Sequence, residues 1–212
     1  MTSSCRHLRA IVFLVCLAFP LASHAEGNKE RGAKVYQTCL ACHGADAGGS
    51  LAQNTPRLAG QHDWYIVRQL QNMKKGLRGY DPQSTYTTLM RGIALTLSDQ
   101  DIEDVVAYIG TLEAKASPPT VVGDLAAGKE LFLKCKLCHG ADGRGWLGTK
   151  TPNLYIQHDW YLLRQLENYR LDHRGSHPDD NYGGRMWAIA RTMENEQALK
   201  DVVAYIKSLG GK

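Results

Sequence analysis

Beyond its first 25 residues the sequence has no apolar run long enough to span a bilayer, and no stretch is dominated by charge of one sign. A spanning helix needs about 20 apolar residues, so the remainder of the chain is expected to be soluble. Nucleic-acid binding usually shows as a block of basic residues. The 25 Lys+Arg and 21 Asp+Glu are scattered instead, which argues against a nucleic-acid partner.

Sustained alternation of apolar and polar residues is also missing, so the sequence predicts no β-sheet. Helix signals are present. Asp63 and Asp159 are candidate N-caps, each before a run with helical spacing of apolar residues. Ser98 and Asp101 form a capping-box pattern that predicts a helix over residues 99–112. The predicted fold class is all-α, and no nucleophile or acid–base pair suggests an enzyme.

The first 25 residues read as a secretory signal peptide. Arg6 and Arg9 precede an apolar run over residues 10–22, and Ser23-His24-Ala25 is a small-x-small cleavage pattern. A membrane anchor is the alternative, but the run is short and Pro20 interrupts it. We therefore expect residues 1–25 to be removed and the protein to be exported to the periplasm.

Cysteine is sparse in the mature chain. Two of the six cysteines fall in the signal peptide, and the other four form two C-x-x-C pairs, Cys39 with Cys42 and Cys135 with Cys138. Four cysteines in an exported protein are compatible with disulfides. A histidine directly after each pair, His43 and His139, argues for another use.

The mature chain contains two copies of one sequence unit. A shift of 96 positions superimposes the first C-x-x-C-H-G-A-D segment, residues 39–46, on residues 135–142. The same shift superimposes Q-H-D-W-Y at 61–65 on 157–161. A single long repeat indicates duplicated domains. We expect a first domain at 26–112, a Pro-containing linker at 113–123 and a second domain at 124–212.

Each C-x-x-C-H motif predicts a covalently attached haem. Two thiols within one helical turn reach the two vinyl groups of a porphyrin, and the histidine binds the iron. A zinc ribbon would need four thiolates in one domain, and a thioredoxin-like dithiol would need a βαβ setting. The sequence offers neither, so two haem c groups are expected, with His43 and His139 as iron ligands.

The repeat also predicts the sixth iron ligands. Among the methionines after Met1, only Met90 and Met186 coincide under the shift, and both precede the last helix of a unit, where a loop could present a thioether to the haem. Met73 and Met193 do not coincide with a second methionine and are interpreted as core residues.

Duplicated histidines offer an alternative ligand pair. His62 and His158 follow the haem histidines by 19 positions, which favours a place on the surface or near a haem edge over the iron. His173 and His177 occur in one copy only and are expected in solvated loops.

Partners for the haem and its ligands can be named too. The carbonyl of Pro56 or Pro152 is the expected acceptor for the second ring N–H of a ligating histidine. One duplicated cluster could bind the haem propionates or consist of core aromatics and surface arginines: Trp64, Tyr65, Arg68, Trp160, Tyr161 and Arg164.

These motifs resemble the di-haem cytochrome c4 family, which has two class I cytochrome c domains in tandem. The resemblance covers essentially the whole mature chain. It implies two helical domains related by a pseudo-twofold axis, with haem edges near their interface. It also implies electron transfer in the periplasm, from a quinol:cytochrome c oxidoreductase or a dehydrogenase to a terminal oxidase. The protein would reach the membrane only through such partners.

Two features stay open at this point. The alternative function is that of a cytochrome subunit in a complex that oxidises a sulfur compound or another small substrate. The segments after the two methionines also differ, with Met-Arg-Gly-Ile at 90–93 and Met-Trp-Ala-Ile at 186–189, so unequal haem potentials are expected.

Overall fold

The computed structural model describes residues 27–211, so the predicted signal peptide lies outside the described range. The α-helices are α1 (Lys29–His43), α2 (Asp63–Lys74), α3 (Thr85–Thr96), α4 (Asp99–Ile109), α5 (Leu125–His139), α6 (Asp159–Arg170), α7 (Asn181–Ala190) and α8 (Glu196–Ser208). A single 3-10 turn at Leu147–Thr149 lies between α5 and α6, and another at Leu209–Gly211 follows α8. Over residues 27–211 extended pairing is limited to two isolated bridges, Ser50–Thr55 and Trp146–Thr151. The all-α prediction is confirmed.

The helices form two units of the same design, the first unit with α1–α4 and the second unit with α5–α8. In each, the first helix packs against the last, α1 on α4 and α5 on α8. Glycine makes this approach possible. A Cβ at Gly32 would lie 2.0 Å from the carbonyl oxygen of Asp104, and one at Gly128 would lie 2.0 Å from that of Asp201. Only a residue without a side chain fits at these crossings.

Each unit has its own hydrophobic core around the last helix. Ile102, Val105 and Val106 of α4 are buried with Ile66 and Leu70 of α2. The second core is built from Phe132, Leu162, Val202, Val203 and Ile206. Within residues 27–211 no helix is long and apolar enough to cross a membrane.

The helix boundaries confirm one predicted N-cap, at Ser98, and show that the two predicted at Asp63 and Asp159 are wrong. Ser98 and Asp101 form the predicted capping box at the start of α4. That helix ends at Ile109 rather than at residue 112, because the N–H groups of Thr111 and Leu112 donate to carbonyl oxygens only three residues back and so form tighter turns. Asp63 and Asp159 are not N-caps. Each is the first residue of its helix, with no capping hydrogen bond at the position before it.

Asp159 instead holds the linker onto the second unit. Its carboxylate accepts hydrogen bonds from the backbone N–H groups of Thr120 and Val121, the latter at 2.6 Å, and from the Thr120 hydroxyl. Burial by itself raises the pKa of Asp159, but these backbone donors more than offset it, and the pKa lies below its ordinary value.

Candidate haem sites and the interface between the units

The C-x-x-C-H motifs occupy the last turn of α1 and of α5. Asn28 caps α1 by accepting from the Arg31 N–H at 2.8 Å, and Asp124 caps α5. Each helix stops at the glycine after its histidine, Gly44 and Gly140, where φ is about 80°. This left-handed conformation favours glycine. The two thiols and the imidazole of each motif therefore lie together at a helix end, from which the chain turns away.

Both motif histidines are buried and oriented by a carbonyl group. Nδ1 of His43 donates to the Pro56 oxygen at 3.0 Å, and Nδ1 of His139 donates to the Pro152 oxygen at 3.3 Å. The predicted acceptors are thus confirmed. A carbonyl can only accept, so these bonds leave Nε2 without a proton and free to bind a metal.

The charge state of these rings also suits a metal ligand. Burial lowers the pKa of both imidazoles, that of His139 to about 4, although the carbonyl hydrogen bonds oppose the shift. Nε2 of His139 is buried without any hydrogen-bond partner among the described residues. A buried polar atom normally has a partner, and a haem iron would supply one.

The thiols are placed for attachment rather than for dithiol redox chemistry. Cys42 and Cys138 are exposed, whereas Cys39 and Cys135 are partly buried, and none of the four forms a disulfide. Burial raises the pKa of Cys39 and of Cys135 to about 11. Catalytic C-x-x-C dithiols have a lowered pKa instead, so the raised pKa values of these two thiols argue against the thioredoxin-like alternative.

The methionines separate into two kinds. Met73 and Met193 are 5% and 3% exposed, which confirms their interpretation as core residues. Met90 and Met186 are only partly buried, and Met90 packs against the first core. Both lie within helices, α3 and α7, so the expectation that a loop presents them is wrong. α3 packs on α2, whereas His43 is the last residue of α1, so the pairing of Met90 with His43 stays a prediction.

The duplicated histidines join the two units. Nε2 of His62 lies 3.0 Å from the carbonyl oxygen of Arg144 in the second unit, and Nε2 of His158 lies 2.7 Å from that of Gly48 in the first. Each ring also stacks on the tryptophan two residues later, Trp64 or Trp160. Both rings therefore lie in the interface. Of the two expected places, the surface is wrong for the buried His158, whereas a place near a haem edge stays a prediction.

Duplicated arginines extend this interface. Arg68 donates to the carbonyl oxygen of Lys150 at 2.9 Å, and Arg164 donates to that of Asn54 at 2.8 Å. The interpretation of these arginines as surface residues is therefore wrong. Nε and Nη1 of Arg68 are buried without a partner among the described residues.

A second arginine pair was missed by the sequence reasoning. Arg78 and Arg174 are 6% and 7% exposed. Arg78 donates to the Tyr161 hydroxyl at 2.9 Å, and Arg174 donates to the Tyr65 hydroxyl at 3.2 Å. No ion pair links either guanidinium to a carboxylate within residues 27–211. The two arginines are 96 positions apart, so the repeat carried the signal that could have identified them.

One interface contact has no counterpart in the repeat. Nδ1 of His173 lies 2.6 Å from a carboxylate oxygen of Asp81 in the first unit, and the two side chains are largely buried. The expectation of a solvated loop is wrong for His173.

The fold and the two attachment motifs define a c-type cytochrome with two haems. The family model for cytochrome c matches residues 29–113 and 125–210. The chain is 32% identical to cytochrome c4 of Pseudomonas aeruginosa, over 94% of this chain and 97% of the relative. It is 34% identical to the thiosulfate dehydrogenase electron acceptor of Stutzerimonas stutzeri, over 90% and 89%.

Solved structures agree with these relatives. The crystal structure of reduced recombinant cytochrome c4 from Pseudomonas stutzeri has a TM-score of 0.67 and 30% identity, covering 85% of this chain and 98% of that chain. The chain belongs to the cytochrome c family and, within it, to the di-haem cytochrome c4 group. Its two domains bind haem c covalently, and the protein is a di-haem electron carrier rather than an enzyme.

Proposed function

We propose that this cytochrome carries single electrons in the periplasm, from a quinol:cytochrome c oxidoreductase or a dehydrogenase to a terminal oxidase. The observation that carries the proposal is the pair of buried histidines whose Nε2 atoms are prepared for iron. His43 and Met90 hold one haem iron, and His139 and Met186 hold the other. With these two protein ligands each, the irons would have no place left for a substrate.

Methionine as the sixth ligand supports this direction of electron flow. When bound, each haem supplies a one-electron iron couple, and a methionine ligand raises its potential into the range that feeds oxidases. Burial of His43 and His139 at 5% and 3% exposure also keeps water away from the proposed iron ligands.

Residues 1–25 act as the signal peptide that delivers the chain to the periplasm. The domains span 26–112 and 124–212, with a linker at 113–123.

The interface arginines have a role in the same proposal. Four arginines bring positive charge into the interface: Arg68, Arg78, Arg164 and Arg174. Among the described residues, no carboxylate lies within ion-pair distance of any of them. Buried charges are normally paired. Haem propionates are the anions that this protein brings with it, and we assign them to these arginines.

A second candidate function rests on the relatives. One is named as a thiosulfate dehydrogenase electron acceptor, and the thiosulfate dehydrogenase from Marichromatium purpuratum has a TM-score of 0.68 at 29% identity, with this chain spanning 40% of its length. The alternative is therefore a subunit or dedicated acceptor of a dehydrogenase that oxidises sulfur compounds.

Purification and reconstitution distinguish the two functions. A free carrier is expected to elute alone from native periplasm and to restore oxygen uptake when added to washed membranes supplied with quinol. A dehydrogenase subunit would co-elute with a thiosulfate-oxidising activity and would be reduced by thiosulfate in that fraction. Failure of the purified cytochrome to couple quinol oxidation to oxygen uptake would contradict the first proposal.

A further inference from the structure

Two buried aspartates occupy the same position of the repeat, one in the last helix of each unit. Asp104 in α4 is 1% exposed and Asp201 in α8 is 7% exposed. Oδ1 of each carboxylate accepts two hydrogen bonds, one from the backbone N–H of the N-cap of the unit's first helix and one from the glutamine four residues earlier in its own helix. The donors are Asn28 at 2.7 Å and Gln100 at 2.9 Å for Asp104, and Asp124 and Gln197, both at 2.8 Å, for Asp201. The two carboxylates are therefore held in the same way at Oδ1.

The second carboxylate oxygen distinguishes the two units. Oδ2 of Asp104 lies 2.6 Å from Nη2 of Arg31. The residue that corresponds to Arg31 in the second unit is Ala127. Oδ2 of Asp201 has neither a hydrogen bond nor an ion pair within residues 27–211. Because buried polar atoms and buried charges normally have partners, the second unit has the acceptor but lacks the guanidinium that satisfies it in the first.

A pocket of about 440 Å³ lies beside this oxygen. Ala127 of α5 and Ala198 and Asp201 of α8 form part of its wall. The small side chain of Ala127 thus leaves open space where the first unit has an arginine. Ala127 is eight residues from Cys135 in α5, which is about 12 Å along the helix axis. The free oxygen of Asp201 is therefore at the end of α5 away from the haem attachment motif.

The charges around the pocket suit a cation. Glu130 and Glu194 also line it, both are exposed, and neither forms an ion pair in the described part of the chain. The residue that corresponds to Glu130 in the first unit is Lys34. The basic residue of the lining, Lys134, lies about two turns of α5 beyond Ala127. The surroundings of Asp201 are therefore acidic and open, whereas those of Asp104 are basic and already filled.

We propose that this pocket of the second unit binds a guanidinium group, with Oδ2 of Asp201 as the central acceptor and the carboxylates of Glu130 and Glu194 beside it. The ligand is an arginine side chain or another guanidino cation that enters from solvent and takes the place that Arg31 has in the first unit. A guanidinium is planar, carries five N–H donors and is more weakly hydrated than an ammonium group. It can satisfy a buried oxygen and bond to the acids at the rim at the same time. The proposal does not depend on the proposed electron transfer.

Nuclear magnetic resonance of the ¹⁵N-labelled protein with both haems attached and reduced tests the site, with arginine amide as the probe. The signals of the Asp124 N–H and of the Gln197 side-chain amide should shift and saturate, because both groups donate to the carboxylate that binds the probe. The corresponding signals of Asn28 and Gln100 should stay in place, since Arg31 already fills that site. Lysine amide at the same ionic strength should bind more weakly.

Three substitutions make the test specific. Asp201→Asn should weaken binding about tenfold or more, because a charged hydrogen bond contributes about 1.5–3 kcal/mol. Ala127→Arg should weaken it at least as much, by filling the pocket as Arg31 fills its counterpart. Ala126→Arg is the matched control, since it adds the same charge at the neighbouring exposed residue, which faces another side of the helix. It should bind the probe as the wild type does.

The first unit supplies the reciprocal experiment. Arg31→Ala should open the equivalent site at Asp104, so that arginine amide also shifts the signals of Asn28 and Gln100. Unchanged binding in Ala127→Arg would overturn the proposal even if Arg31→Ala failed to fold. Shifts in the wild type that do not saturate, or that are equal for arginine amide and lysine amide, would overturn it as well.

A parallel titration with the capped peptide Gly-Arg-Gly distinguishes the two sources of the guanidinium. Binding of the peptide as tightly as arginine amide would assign the pocket to an arginine presented by a polypeptide chain. Binding of arginine amide without the peptide would assign it to a small guanidino compound.

Discussion

The side-chain amide of Gln61 and the backbone of Asn153 form a two-way hydrogen bond across the interface between the units. Nε2 of Gln61 donates to the Asn153 carbonyl oxygen at 3.0 Å, and Oε1 accepts from the Asn153 N–H at 2.9 Å. The repeat produces the mirror contact, in which the Gln157 amide binds the carbonyl oxygen and the N–H of Arg57, both at 2.9 Å. The interface therefore has a pseudo-twofold design.

Replacing either glutamine is expected to weaken the attachment of the units to each other. Gln61→Ala leaves the Asn153 backbone groups buried without partners, at a cost of about 1–3 kcal/mol. Urea denaturation followed by circular dichroism measures the free energy of unfolding. Gln37→Ala is the control, because within residues 27–211 that exposed side chain bonds only to Ala33 of its own helix. A loss no larger for Gln61→Ala than for the control would contradict the prediction.

The proposed methionine ligands can be tested one haem at a time. Met90→His and Met186→His should each convert one haem to bis-histidine ligation and lower its potential, because imidazole stabilises ferric iron more than a thioether does. Ferric Met-ligated haem has a weak charge-transfer band at the red end of the visible spectrum. Each single variant should lose half of this band, and the double variant should lose all of it.

The core methionines supply the control for that experiment. Met73→Leu and Met193→Leu should keep the full band and cost at most about 1.5 kcal/mol, since these swaps nearly conserve volume. Loss of half the band in Met73→Leu would show that the first ligand is misassigned. A wild-type ferric protein without the band would remove both methionine assignments and leave His62 and His158 as the candidates.

Asp159 should make stability depend on pH. Its pKa is lowered in the folded state, so it contributes stability above the unfolded value of about 3.9 and loses that contribution as the pH falls through the folded value. Asp159→Asn should cost about 1–3 kcal/mol at neutral pH, since four donors lose a charged acceptor, three from the linker and the Trp160 N–H. The difference from wild type should shrink below pH ~4.

Asp63 is the matched control, because it occupies the same position of the repeat without bonds to the linker. Burial raises the pKa of Asp63, although the adjacent His62 opposes the shift, so Asp63→Asn should not destabilise the protein at neutral pH. Urea denaturation over a pH series provides the comparison, and limited proteolysis should cut residues 113–123 faster in Asp159→Asn only. Equal behaviour of the two variants would refute the role of Asp159.

The two haems should titrate at different potentials. Residues 26–116 carry 10 Lys+Arg and 10 Asp+Glu, whereas residues 117–212 carry 13 and 11, a net charge of zero against +2. Positive charge favours the reduced haem, so the second haem is expected to have the higher potential. Redox titration should resolve two one-electron waves, and the Met→His variants assign each wave to a unit. Assignment of the higher wave to the first haem would reverse the order.

Several features of this protein follow from local sequence alone. The C-x-x-C-H motif needs only one helical turn to bring two thiols and an imidazole together. The sequence therefore predicts haem attachment without a structure, at Cys39, Cys42, Cys135 and Cys138. The capping box at Ser98 is local for the same reason. The duplication adds a comparison within the chain, which separates Met90 and Met186 from the core methionines.

Tertiary structure decided what joins the units and holds the linker. His62 and His158 bind carbonyl groups 82 and 110 residues away in the chain, and no periodicity in a sequence records contacts at such separations. Asp159 resembles an N-cap in sequence, but the folded linker offers its carboxylate better donors. In the sequence, Arg78 and Arg174 resemble exposed cations, but the packing of the two units against each other buries both side chains. These roles depend on surfaces that meet only after both units have folded.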